Sequence, residues 1–383
     1  MTLIKVNTRG AENIGGGRRN LLINGGMMIA QRGTGATTVV SGSIQVIDKG
    51  YTSASHDGAV TKEQSTDVPV GEGFQNSVKH VVTTADTSIG ASQYHDLFHY
   101  RFEGNELTQL NYGTSGAKKS SLSFFVKSSV AGVYCGTITI HNNSCKLPFK
   151  FTIASANTWE RIKIENIPAI TTGGDDGTAW ITSGINLGAM LRIYGALGSN
   201  WSSSSTPDKV WNTATNNQAF GSATMVNWLA TVNNTFYLTG VQWEVNEICT
   251  DFEHRSFEEE LHSCKRYYQK SFNYATAPVN SGSATSYNSS GALLGYSGTN
   301  NSGALTDNWL FSPEMRTTPT VVRYGNSSGH WGRMSMPNSA VTYDNGAGYI
   351  SNTQATGLNF GQNVAGNTHI CGFGHATADA DLL

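Results

Sequence analysis

The sequence predicts an all-β protein: an antiparallel, jelly-roll-like β-sandwich, a short connector helix, and a second, C-terminal β domain. Three observations lead there. Several runs alternate in polarity with a period of two, as in 95–103, where Phe98, Tyr100 and Phe102 share one face and His99, Arg101 and Glu103 the other. Turn clusters built on Gly, Asn and Ser separate these runs, in a chain with 43 Gly and only 8 Pro. One segment, 253–271, changes to helical spacing.

Residues 1–20 read as a polar arm. Lys5, Arg9, Arg18 and Arg19 stand against Glu12, and Gly15-Gly16-Gly17 makes the segment flexible. Fully extended it reaches roughly 65 Å. Residues 21–252 read as one sandwich of about eight to ten strands, a jelly-roll count. Ile162 and Ile164 alternate with Arg161, Lys163 and Glu165, while 122–126 and 147–153 are more apolar runs suited to interior faces. The stretch 198–226, rich in Ser, Thr and Asn, is expected to be a surface excursion packed by Trp201, Trp211 and Phe220.

The connector, 253–271, carries its own boundaries. Ser256 precedes Glu259 by three residues, the capping-box spacing in which each side chain satisfies a backbone donor of the first turn. Glu258, Glu259 and Glu260 crowd its start and Lys265, Arg266 and Lys270 its end, both favourable to the helix dipole. Phe257, Leu261, Cys264 and Tyr268 draw one apolar stripe. In the second β domain, 272–383, only eight of 112 residues are charged and none is Lys. So weakly charged a surface is poorly protected in isolation, and burial in a symmetric oligomer is the simple remedy.

The net charge of −2, with 14% charged residues, provides no field to draw nucleic acid or an anionic membrane. No apolar run approaches the ~18 residues of a membrane span. The opening residues, Met1 to Asn7, have neither the basic region nor the apolar core of a secretory signal. Five cysteines (Cys135, Cys145, Cys249, Cys264, Cys371) are odd in number and lack metal-like spacing. A turn centred on Asn142-Asn143 sets Cys145 opposite Ile140 rather than Cys135, so free thiols are expected, as in a bacterial cytoplasm.

Sites of chemistry are sparse. His95 and His99 share a strand face but lie roughly 13 Å apart, too far for one metal ion. Asp175-Asp176, flanked by glycines, reads as a turn. No nucleophile elbow, phosphate loop or zinc motif occurs, so no catalytic residue, metal or cofactor is expected. Aromatic rings in Gly-, Asn- and Ser-rich contexts are the better candidates: Trp331, Tyr349, Trp309, Tyr343, Trp201 and Trp211. A ring on a loop can stack on the apolar face of a sugar while Asn and Ser supply directional hydrogen bonds.

Three segments carry a family resemblance: Asn20-Leu21-Leu22-Ile23-Asn24-Gly25-Gly26-Met27, Thr239-Gly240-Val241-Gln242-Trp243-Glu244-Val245, and Thr250-Asp251-Phe252-Glu253-His254-Arg255 running on to Cys264-Lys265-Arg266-Tyr267-Tyr268. Together they resemble bacteriophage and prophage tail-fibre proteins, and the leader Leu3 to Gly10 is similar to marine podovirus-like fibres. The resemblance implies a structural virion protein and a homotrimer. It implies attachment to other virion proteins through 1–20, with Lys5, Arg9, Arg18 and Arg19 as contacts, and adsorption to host surface polysaccharide through the C-terminal domain. A head fibre or capsid-decorating protein is the alternative reading. A polysaccharide depolymerase tailspike, the enzymatic one, is favoured less, because no long β-helix repeat is present.

Overall fold

The computed structural model describes residues 18–140, 145–171, 184–212, 220–279, 293–297, 304–324, 331–336, 342–346, 348–363 and 369–382. The fold is all-β, as predicted, with large antiparallel sheets, one of them nearly closed. The N-terminal sheet uses β1 (Thr37–Ile47), β2 (Gly50–Ser65), β3 (Ser77–Thr84), β4 (Tyr94–Glu103), β5 (Ser120–Ser128), β6 (Gly132–Ile140), β7 (Cys145–Ile153), β8 (Glu160–Ile167), β9 (Leu187–Leu197) and, after two short strands, β12 (Thr235–Glu244). Their spatial order is β7-β6-β9-β4-β2-β3-β12-β5-β8, with β1 also on β2. The sheet curls until its two edges approach, and Phe124 of β5 meets Phe151 of β7 edge-on at 5.2 Å.

Alternation puts Phe98, Tyr100 and Phe102 of β4 inside, with Trp243, Phe124, Tyr134 and Trp228, all at most 2% exposed. The opposite face of β4 is buried as well: His95 and His99 are 0% exposed, where the alternation suggests a polar outer face. The β6–β7 hairpin pairs Ile140 with Cys145 and Cys135 with Lys150. Cys135, Cys249 and Cys264 are free and buried, Cys145 is buried too, and the hairpin register keeps Cys135 and Cys145 from facing one another.

The signature residues hold the chain's entry to its exit from the sandwich. Glu253 accepts the amides of Arg19 (3.1 Å) and Asn20 (2.9 Å), and its own amide donates to the Gln242 side chain (2.8 Å). Arg255 donates to the carbonyls of Asn20 and Leu22. Burial would raise the Glu253 carboxyl, but the Asn20 amide, the Arg255 charge and the Arg19 amide outweigh it and hold the group below its ordinary range. Arg18 and Arg19, predicted in the flexible arm, therefore lie on the sandwich: Arg18 donates to Leu22 O and Arg19 to Asp251 O. Lys5 and Arg9 fall outside the described residues.

Helix α1 (Phe257–Lys265) begins with the predicted capping box: Ser256 Oγ accepts from Glu259 N (3.2 Å) and Glu259 Oε2 from Ser256 N (2.9 Å). It ends earlier than its sequence pattern suggests. Tyr268 opens β13 (Tyr268–Lys270), because the backbone here pairs with Asp379–Thr377 of the last strand. The apolar stripe is corrected accordingly. Phe257 is 43% exposed, and Leu261, Cys264 and Tyr267 pack on Ile23 and Ile29 instead. Glu260 turns inward, its carboxylate taking the Asn24 amide at 2.6 Å.

The C-terminal sheet assembly places β21 (His369–Asp379) against β13, β14 (Leu293–Ser297), β16 (Thr320–Tyr324) and β17 (Trp331–Met336); β18 (Thr342–Gly346) flanks β17. A smaller sheet joins β15 (Ala304–Leu310), β20 (Gly357–Asn363) and β19 (Gly348–Gln354). Its described core is slight, chiefly Phe311, Met315, Leu358, Ala376 and Ala378. Charged contacts join it to the sandwich. Arg32 reaches Asp379 (2.9 Å) and Asp381 (2.7 Å), with Asp48 at 3.5 Å, and lies over the Tyr268 ring.

Candidate functional site

The six predicted aromatics divide. Trp331 (β17), Tyr343 (β18) and Tyr349 (β19) sit on strands, not on the loops expected for them, and their backbones pair with Gly346, Met334 and Gly361. Trp309 also lies on a strand, β15, and its ring packs edge-on against Phe311. Trp211 is held in place by Nε1 donating to Pro168 O (2.7 Å) and by an edge contact with Tyr112. Asp175-Asp176 lies outside the described residues.

Trp201 is different. It begins the excursion after β9, where β10 (Ser202–Ser203) runs parallel to β11 (Gly221–Ser222). Its ring, partly exposed, stands edge-on to Tyr94 at 5.9 Å and to Phe220 at 5.8 Å. Trp201 Nε1 donates to Ser92 O (2.9 Å), which fixes the ring's orientation. Tyr94 is also partly exposed, and its hydroxyl pairs with Ser53 Oγ at 3.2 Å. Two oriented rings with hydroxyls beside them therefore form one edge of the sandwich. Leu197 and Met225 pack in the same cluster as Trp201 and Phe220, and both also line an adjoining cavity of 170 Å³. Sequence reasoning found Trp201 but missed Tyr94. The available signal was its position as first residue of the alternating run that ends at Glu103.

A larger cavity, 350 Å³, lies where β4, the chain entry and the end of α1 converge, lined by Arg18, Glu103, Glu106, Arg266 and Tyr267 among others. Its charges answer one another. Arg266 clamps Glu103, while the Glu106 carboxylate takes the Tyr267 hydroxyl (3.2 Å) and the Glu103 amide (2.8 Å). Burial raises Glu106 above the ordinary carboxylate range, with Lys49 opposing the shift.

Beneath the aromatic edge, His56 Nε2 meets His95 Nδ1 at 3.1 Å, with the His80 and Trp228 rings packed around His95. Burial lowers all three imidazoles and brings the Lys62 ammonium down to about 7. Neutral, closely packed rings suit a polar core better than a titrating site. Among the described residues, no group of three or more His, Cys, Asp or Glu is arranged to hold a metal ion. No described helix is long and apolar enough to cross a membrane.

The chain matches no protein-family model and no curated protein sequence. Similar solved structures include the enzymatically active domain of bacteriophage CBA120 tailspike protein 4, at 11% identity over 59% of this chain and 21% of that one, TM-score 0.30. Another is a family 61 carbohydrate-binding module in complex with β-1,4-galactotriose, at 9% identity over 60% of this chain and all of that one, TM-score 0.29. A third is the family 11 carbohydrate-binding module from Clostridium thermocellum, at 12% identity over 58% and 99%, TM-score 0.26. The chain thus spans about a fifth of that tailspike domain. Likeness at this level carries no functional weight, and the aromatic edge stands on its own geometry.

Proposed function

We propose that the protein is a non-catalytic adhesion component of a bacteriophage particle, a tail fibre that binds host surface polysaccharide through the Tyr94–Trp201 edge of its N-terminal sandwich. The carrying observation is the oriented ring pair, partly exposed and flanked by the Ser53 hydroxyl. A sugar's apolar face stacks on such rings and its hydroxyls pair with neighbouring polar groups. Single-site binding of this kind is weak. Assembly as a homotrimer, in several copies per particle, raises the effective concentration enough to anchor a virion. The sequence resemblance supports the particle assignment and attachment through 1–20.

Two measurements test the reading. Purified protein should co-sediment with host polysaccharide without releasing new reducing ends, and Trp201→Ala should abolish co-sedimentation while leaving the far-ultraviolet circular dichroism unchanged. Mass spectrometry of gradient-purified particles should find this chain among the structural proteins. Its presence only in the soluble lysate would refute the virion assignment, and unimpaired binding by Trp201→Ala would refute the site.

A further inference from the structure

We infer that the 170 Å³ cavity beside Trp201 is a subsite for the acetamido group of an N-acetylhexosamine, which narrows the glycan class and rests on the adhesion reading above. Pockets that take a whole drug-sized ligand begin at about 300 Å³. At 170 Å³ this one holds a single substituent. Its walls combine the two kinds of surface that group requires. Ile89, Leu197, Met225 and Val226 offer apolar surface for a methyl, and Ser202, Ser222 and Asn227 supply polar atoms.

Those polar atoms keep the right capacity in reserve. Asn227 Nδ2 uses one hydrogen on Asp86 O (2.9 Å), so a second can reach an acetamido carbonyl. Ser202 Oγ donates to Gly198 O (3.1 Å), leaving its lone pairs for the acetamido N–H. Both groups are fixed before any ligand arrives: Asn227 Oδ1 caps the short 3-10 helix Trp228–Ala230 by accepting from Leu229 N. Placement fits too. Leu197 and Met225 belong both to the cavity wall and to the cluster that holds Trp201 and Phe220, and Ser202 follows Trp201 in the chain, so the cavity adjoins the ring on which a pyranose would stack. A plain hydroxyl there would leave the apolar walls uncovered.

Saturation-transfer NMR on the full chain tests this with four probes: the methyl β-glycosides of N-acetylglucosamine, N-acetylgalactosamine, glucose and galactose. At least one acetamido sugar should bind about tenfold tighter than its plain counterpart, a preference of the size a filled apolar subsite confers. Its acetyl methyl should show the strongest saturation. Ala223→Trp, at an exposed position on the cavity wall, should erase the preference while keeping Trp201-dependent binding. If that variant misfolds by its amide spectrum, Ala223→Leu replaces it. Equal binding of plain and acetylated sugars, or an unsaturated acetyl methyl, overturns the subsite and leaves the adhesion reading intact. Binding of none of the four, together with no effect of Trp201→Ala on polysaccharide, removes the adhesion reading itself.

Discussion

Arg266 and Glu103 meet through two parallel hydrogen bonds, Nε to Oε1 and Nη2 to Oε2, each 3.0 Å long. Glu103 closes β4, and Arg266 follows α1, so the fork fastens the connector helix to the sandwich. Arg266→Ala should lower the unfolding free energy by about 2 kcal/mol, near the middle of the range for charged hydrogen bonds, since the arginine is partly exposed. Arg266→Lys should recover only part of this, because an ammonium cannot make the fork. Urea titration decides it, and an unchanged midpoint for the alanine variant would refute the clamp.

Stability should fall on mild acidification. His56, His80, His95 and His99 are all held below the ordinary imidazole range by burial, His99 at about 4. The unfolded chain, near ~6.5, then binds more protons than the folded one, so stability is full above that pH and is lost as pH falls toward 4. Each such group contributes a slope of up to about 1.4 kcal/mol per pH unit within its window. Asp48, raised to about 6 by burial, works oppositely and favours the fold at low pH. His80 is fully buried and burial is the chief cause of its lowered imidazole, so His80→Leu should flatten the acid slope between pH 6.5 and 5 relative to the parent. Equal slopes in denaturant titrations would exclude it as a contributor.

Two tryptophans should separate stability from binding. Trp228, 0% exposed beneath the His95 ring, should cost about 3–5 kcal/mol on replacement by alanine. Trp201→Ala should cost roughly 1 kcal/mol, because the ring already meets solvent. A thermal melt of each, beside polysaccharide co-sedimentation, should show the first variant unstable and the second stable but non-binding. The reverse pattern would move the site elsewhere.

Gly25→Ala should be damaging for a steric reason. A Cβ there would lie 2.2 Å from Val241 O, where the entry segment runs against β12 and accepts the Val241 amide at 2.9 Å. Backbone on both sides must shift, costing roughly 1–3 kcal/mol. Gly35→Ala, with open space around its Cβ, is the control and should be neutral in the same melt.

Local rules were legible. The Ser256–Glu259 box, the β4 alternation and the Cys145–Ile140 register each depend on residues within a few positions, so spacing alone reveals them. What escaped depends on distant partners. Tyr268 continues the helical stripe, yet it leaves the helix because Asp379 pairs with its backbone. Glu260 looks like a surface acid, until Asn24 and Arg255 surround it. His95 and His99 alternate like solvent-facing residues, but His56, His80 and Trp228 pack around the first and Tyr51 beside the second. The same limit governs the site: Trp201 stood out by composition, whereas Tyr94 became relevant only once β9 and the following excursion laid the two rings together.

The pairing of His369–Asp379 with four other strands dictates an order of events during synthesis. Tyr268–Lys270 is translated about a hundred residues before its neighbour in that sheet. Until the neighbour leaves the ribosome, the intervening strands have exposed edges and no central template, a condition that invites association with other nascent chains. The sandwich, by contrast, can close once Glu244 has emerged. Polysomes bearing stalled chains should therefore yield a protease-resistant fragment ending near the connector, with the remainder digested.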